Sequence, residues 1–156
     1  RSQCEPLFLL NDLLRFWRTL CLNYENARSG PTRSWKKRNF NLKFSRMLTV
    51  FSTVLPMVLQ SHVNQEWLLD LTEKTPLERL AVGLDMLDDA QLSRGFKTFL
   101  DDYEFFLHTK ERQDFNLLDD PTRLALNDKA GQVSSFLFSA LHHPGVSPEY
   151  RQYLVI

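Results

Sequence analysis

Three observations predict an all-α chain, a helical bundle of five or six helices. Apolar residues recur with a 3.6-residue period through most of the length. No alternating strand pattern of useful length interrupts them, and the breaks fall at proline, glycine and capping residues. At 156 residues and 18.4 kDa the chain is the size of one domain, long enough to fold without a metal or disulfide staple. A hydrophobic share of 43% and a charged share of 24% describe a folded protein, and five glycines and seven prolines exclude collagen-like and low-complexity classes. We expect one helical domain over residues 1–156. The chain opens at Arg1 and enters a helix almost at once, so we expect it to be the C-terminal part of a longer protein.

The first helix is expected from Leu7 to about Tyr24, with Leu10, Leu13, Leu14, Trp17, Leu20, Cys21 and Tyr24 in one stripe. Ser29-Gly30-Pro31-Thr32 breaks it. A second helix is expected from Lys36 to Leu55, with Phe40, Phe44, Met47, Leu48, Phe51 and Leu55 on one face and Pro56 ending or kinking it. Residues 62–71 suggest a short turn around Trp67 and Leu68. Thr75-Pro76-Leu77-Glu78 is a helix start, with Thr75 as cap, Pro76 at the first position and Glu78 closing a capping box; that helix should reach Leu87. A fourth helix is expected from Ala90 to Phe115, and a fifth from Asp119 or Asp120 to Leu141, stopped by His143-Pro144-Gly145. Ser147-Pro148 opens a last short turn.

Function classes fall away on composition. Cys4 and Cys21 lack zinc-site spacing and read as reduced thiols, which with the absence of a signal peptide points to a cytoplasmic protein. The longest apolar runs, Leu7 to Leu10 and Val54 to Leu59, are short for a membrane span, and no membrane partner is expected. His62, His108, His142 and His143 fit no HExxH pattern; no GxSxG, Walker loop or GxGxxG occurs. Asp88-Asp89 and Asp119-Asp120 precede helix starts and read as caps. Asp101 and Asp102 point apart on their helix, so no metal site and no catalytic residue is expected within the chain.

Net charge is zero, yet the charge is polarised. Residues 1–69 hold ten Lys/Arg against four Asp/Glu, and residues 70–156 hold nine against fifteen. From Arg28 to Arg46, the cations Arg28, Arg33, Lys36, Lys37, Arg38, Lys43 and Arg46 meet no acid. Such a pattern either presents a cationic face to an anionic ligand or neutralises itself across the fold. By a constant step of about 100° per residue, Asn11, Arg15 and Arg18 share one face of the first helix, and, counted from Arg38, Asn39, Lys43 and Arg46 fall within about 60° of one another on the second. Guanidinium forks and amides suit phosphate oxygens and carboxylates. If the two helices form an antiparallel hairpin, Asn11, Arg15, Arg18, Arg38, Asn39, Lys43 and Arg46 would make a phosphate- or partner-binding face. The competing expectation is that Arg15, Arg18 and Arg46 pair with the acidic second half. Trp35 among Arg33, Lys36, Lys37 and Arg38 suits base stacking, but a pI near 7.1 is low for a nucleic-acid module.

Leu10-Asn11-Asp12-Leu13-Leu14-Arg15-Phe16-Trp17-Arg18-Thr19 with Asn23-Tyr24, Trp35 with Arg38-Asn39 and Leu42-Lys43-Phe44-Ser45-Arg46, and Thr75-Pro76-Leu77-Glu78-Arg79 form three segments in order. Together they resemble the region after the catalytic domain in bacterial nucleotidyltransferase-like proteins of the DNA polymerase β-like superfamily. The resemblance covers about the first half of the chain. Asn23 stands where the family has aspartate, Lys36 where it has glycine, and Asn41 and Met47 where it has lysines. The family's Gly-Ser turn and strand aspartates, which hold Mg²⁺ for nucleotidyl transfer, do not occur here, and the resemblance implies that they lie upstream. It therefore implies a C-terminal helical domain that partners an upstream catalytic domain in cis. Mg²⁺ and a nucleoside triphosphate would belong to the parent, and nucleotide binding would involve the cationic face. The alternative reading is a non-catalytic module that binds nucleic acid or protein.

Overall fold

The computed structural model describes residues 7–28, 35–60, 62–112, 115 and 117–151. They form an all-α bundle, with no strand among the described residues. Helix α1 spans Leu7–Arg28 and is followed by α2, Trp35–Asn41, a π turn at Leu42–Arg46, and α3, Met47–Leu59. Then come α4, Gln65–Glu73, α5, Pro76–Leu87, α6, Ala90–Arg112, α7, Asp120–Leu141, and the single turn α8, Pro148–Arg151.

Helix α1 buries Leu10, Leu14 and Trp17, and Leu13, Leu20, Cys21 and Tyr24 pack beside them, as the stripe predicts. It runs one turn beyond Tyr24, to Arg28. Trp17 meets Phe51 of α3 edge to face, with ring centroids 5.4 Å apart. Only residues 29–34 link the two helices, a reach of about 25 Å at most. Side-by-side packing with so short a link makes them an antiparallel hairpin.

The second helix differs from its expectation twice. Asn41, Arg46 and Met47 all keep right-handed helical backbone, so α2, the π turn and α3 are one continuous helix with one turn widened. A π turn closes i→i+5, taking one residue more per turn than the α-helix. It sets Leu42 above Met47, and both are buried and border the same groove, while Phe40 and Phe44 stay in the core. Pro56 does not end the helix: α3 continues to Leu59, and the Gln60 amide closes it onto the Pro56 carbonyl at 3.0 Å. An interior proline costs about 3 kcal/mol. Here Val54, Leu55, Met57 and Val58 around it are all buried, and their packing outweighs that cost. Lys37–Leu59 is also, by length and composition alone, long and apolar enough to cross a membrane, although no single run within it is; 67% of its most apolar stretch is buried inside the bundle.

Residues 62–71 hold more than a turn. Asn64 caps α4 by accepting from the Trp67 amide at 2.8 Å, and the helix reaches Glu73. The capping box of α5 forms as predicted, with Thr75 accepting from the Glu78 amide and Glu78 accepting from the Thr75 amide at 2.7 Å. Helix α5 lies close on α3: a Cβ at Gly83 would stand 2.7 Å from Leu55 Cδ2. Asp89 caps α6, accepting from the Gln91 and Leu92 amides, and Asp119 caps α7, accepting from Thr122. Asp88 instead ends α5, at φ 48° in the left-handed region, and Asp120 pairs with Arg123 at 2.6 Å. Helix α6 stops at Arg112, short of Phe115, which nevertheless packs in the core.

Helices α6 and α7 are joined through Asp102, which is 3% exposed and accepts from Lys129 at 2.6 Å. A row of aromatic rings fills the space beneath the π turn, where Phe44 and Phe106 stack in parallel with centroids 4.4 Å apart. At the far end, Gly145 donates its amide to His143 Nδ1, which leaves Nε2–H to donate to Asp89 at 3.3 Å. His143 thus ties the end of α7 to the start of α6.

Candidate functional site

Asn11, Arg15 and Arg18 are exposed on α1. Arg15 lies 3.9 Å from Asp12, one turn earlier on the same helix, and not against the acidic half. Arg18, Arg38 and Arg46 are exposed and have no ion-pair or hydrogen-bond partner among the described residues. Asn39 is half-buried. Lys43 turns toward α7 and donates to Asn127 Oδ1 at 3.2 Å. The side chains of Trp35 and Lys36, and all of residues 29–34, lie outside what is described.

These residues do not all share one place. Counting about 1.5 Å per residue from the Trp17–Phe51 contact in the antiparallel hairpin, Arg18 and Arg46 stand within about 6 Å of one level, whereas Asn11 and Arg38 stand about 28 Å apart. The common face of Asn39, Lys43 and Arg46 assumes a constant α-helical step. The π turn breaks that step, displacing Arg46 relative to Asn39 by about one residue's rotation, roughly 100°. Arg18 and Arg46 come closest to a common level, whereas Lys43 stands about 10 Å from the level of Arg18 by the same count and turns to α7.

Lys43 borders a groove of about 340 Å³. Trp17, Leu42 and Met47 form its apolar side, and Ala130, Gly131 and Ser134 of α7 form a wall of small side chains. Lys43 and Asn127 bridge its polar end. The π turn builds the groove, because it brings Leu42 and Met47 to the same side. Periodicity missed it: Phe40, Phe44, Met47 and Leu48 fit an unbroken α-helix too, and the one available signal was the five-residue spacing of Leu42 and Met47.

Among the described residues, each of the following ion pairs lies within one half of the chain. Arg15–Asp12 and Arg28–Glu25 lie within the basic half; Lys74–Asp70, Arg123–Asp120 and Lys129–Asp102 lie within the acidic half. The acidic half also spends carboxylates on helix caps. Hydrogen bonds at Glu78 from Thr75, at Asp89 from the Leu92 amide, and at Asp119 from Thr122 hold these carboxyls below their ordinary pKa range. Arg79, the last residue of the third motif, is half-buried with Nε shielded and unpartnered, and burial lowers its pKa. Burial likewise raises the Cys21 thiol, an unreactive setting. No group of three His, Cys, Asp or Glu among the described residues is placed to hold a metal ion.

Comparison with protein-family models, with curated proteins and with solved structures finds no match for this chain.

Proposed function

We propose that the chain is a recognition domain that binds an anionic partner at the edge where α1 passes the π turn. In this reading it works as the C-terminal helical domain of a longer protein, beside an upstream catalytic domain of the nucleotidyltransferase type that the three motifs resemble. The observation that carries the reading is that Arg18 and Arg46 are exposed, stand at one level and have no acidic partner among the described residues. Cations that served only to neutralise the acidic half would be expected to reach it. Guanidinium groups left to solvent suit recognition of carboxylate or phosphate, because they keep their full hydrogen-bonding fork.

Titration calorimetry with inorganic tripolyphosphate tests this. Binding should weaken as salt rises, since screening acts on exposed charges, and it should fall about tenfold or more in Arg18→Gln/Arg46→Gln. Binding that survives the double substitution would refute the assignment to this edge.

A further inference from the structure

We infer that the outward stripe of α1 docks the chain on an anionic lipid surface. The inference rests on the anion-recognition reading and names the source of the phosphates.

Helix α1 is α-helical throughout Leu7–Arg28, so residues spaced alternately three and four apart share one line along it. Phe8, Asn11, Arg15, Arg18 and Leu22 have that spacing, and all five are exposed. Leu10, Leu14 and Trp17 turn another face of the helix into the core. The line is about 21 Å long at the α-helical rise. Its ends are the two most exposed large apolar side chains of the helix, Phe8 at 81% and Leu22 at 65%. Two guanidinium groups stand between them. Arg15 lies 3.9 Å from Asp12, but a pair so exposed is held weakly and leaves the arginine free to exchange partners.

Both chemistries on this line have to be met at once. Phosphate alone would engage Arg15 and Arg18 and leave Phe8 and Leu22 in water, whereas a purely apolar partner would strand the arginines. An anionic bilayer offers phosphate at its surface and hydrocarbon just beneath, and arginine bridges that boundary because its stem is apolar and its head charged. The excess of ten Lys/Arg over four Asp/Glu in residues 1–69 complements such a surface. A straight line on a convex helix also touches a plane along its whole length. Beside the first turn, an apolar hollow of about 240 Å³ lined by Leu7, Phe8, Leu10, Asn11 and Leu14 gives an acyl segment a place to enter. This is contact with the membrane surface and not a span, since the long apolar stretch of Lys37–Leu59 is mostly buried inside the bundle.

Co-sedimentation with vesicles tests it, using phosphatidylcholine alone and phosphatidylcholine mixed in equal parts with phosphatidylglycerol. The chain should bind the anionic vesicles at least about tenfold tighter than the neutral ones, and less as salt rises. Phe8→Ser/Leu22→Ser, at two exposed positions, should lose about tenfold on anionic vesicles while leaving tripolyphosphate binding intact. Arg15→Gln/Arg18→Gln should lose at least as much on the vesicles. Equal binding to both vesicles, or indifference to either double substitution, would overturn lipid docking by this stripe. Tripolyphosphate binding without vesicle binding would overturn it too, leaving the anion site standing and returning Phe8 and Leu22 to a protein partner. Failure of tripolyphosphate and vesicles alike would remove the underlying reading as well.

Discussion

Lys129 Nζ lies 2.6 Å from Asp102 Oδ1, on a carboxylate that is 3% exposed and whose second oxygen has no hydrogen-bond partner. This pair joins α6 to α7, and it belongs wholly to the acidic half of the chain. Removing one member of a buried pair strands the other, and the cost is far larger than the worth of the pair. Lys129→Met should therefore destabilise the fold by about 3 kcal/mol, and the double variant Asp102→Leu/Lys129→Met should recover most of it. Urea denaturation of the two variants measures both values.

The second prediction concerns pH. Glu78, Asp89 and Asp119 titrate in the folded chain below their ordinary values of 4.5, 3.8 and 3.8, because each accepts hydrogen bonds at a helix start. Below those ordinary values the unfolded chain takes up protons first, so stability falls as pH falls. The contribution is complete above pH about 5 and lost as pH drops through the lowered folded values. A series of urea denaturations from pH 7 to pH 2.5 should show this decline, and Asp89→Asn/Asp119→Asn should flatten it, since asparagine still caps but does not titrate.

Two glycines should respond in opposite directions. Gly83→Ala drives a Cβ to 2.7 Å from Leu55, which is 1% exposed and has nowhere to move, so about 1 to 3 kcal/mol should be lost. Gly131→Ala meets open space and should gain about 1 kcal/mol through helix propensity. Thermal or urea denaturation of the two single variants decides each sign.

A fourth prediction separates binding from scaffolding. Since Arg18 and Arg46 have no partner among the described residues, Arg18→Gln/Arg46→Gln should change stability by no more than about 0.5 kcal/mol. A markedly larger loss by urea denaturation would return these arginines to a structural role.

The helical architecture was legible because it rests on local rules. The stripe of Leu10, Leu14 and Trp17 and the box formed by Thr75 and Glu78 depend on neighbours a turn away. So do the caps at Asp89 and Asp119, and the structure contains each of them. Pro56 read as a stop or a kink on local rules alone; burial of its neighbours in the tertiary core carries the helix past it. Asn64 as the cap of α4 was readable by the same capping rule, but the short apolar pattern after it concealed a nine-residue helix. The candidate face fared differently. A constant helical step cannot register the π turn, so it aligns Arg46 with Asn39, and a face drawn on two separate helices carries no information on their relative level. Trp17 against Phe51 supplies that level and separates Asn11 from Arg38. The groove was illegible for the same reason, since Gly131 and Trp17 are 114 residues apart and meet only through packing.

The central claim is that the edge carrying Arg18 and Arg46 binds anions, and backbone amide shift mapping during a tripolyphosphate titration tests it most directly. The account predicts saturable shifts clustered on the middle of α1 and on Leu42–Met47, diminishing at high salt. Shifts confined to other parts of the bundle, or none at all at low salt, would contradict it.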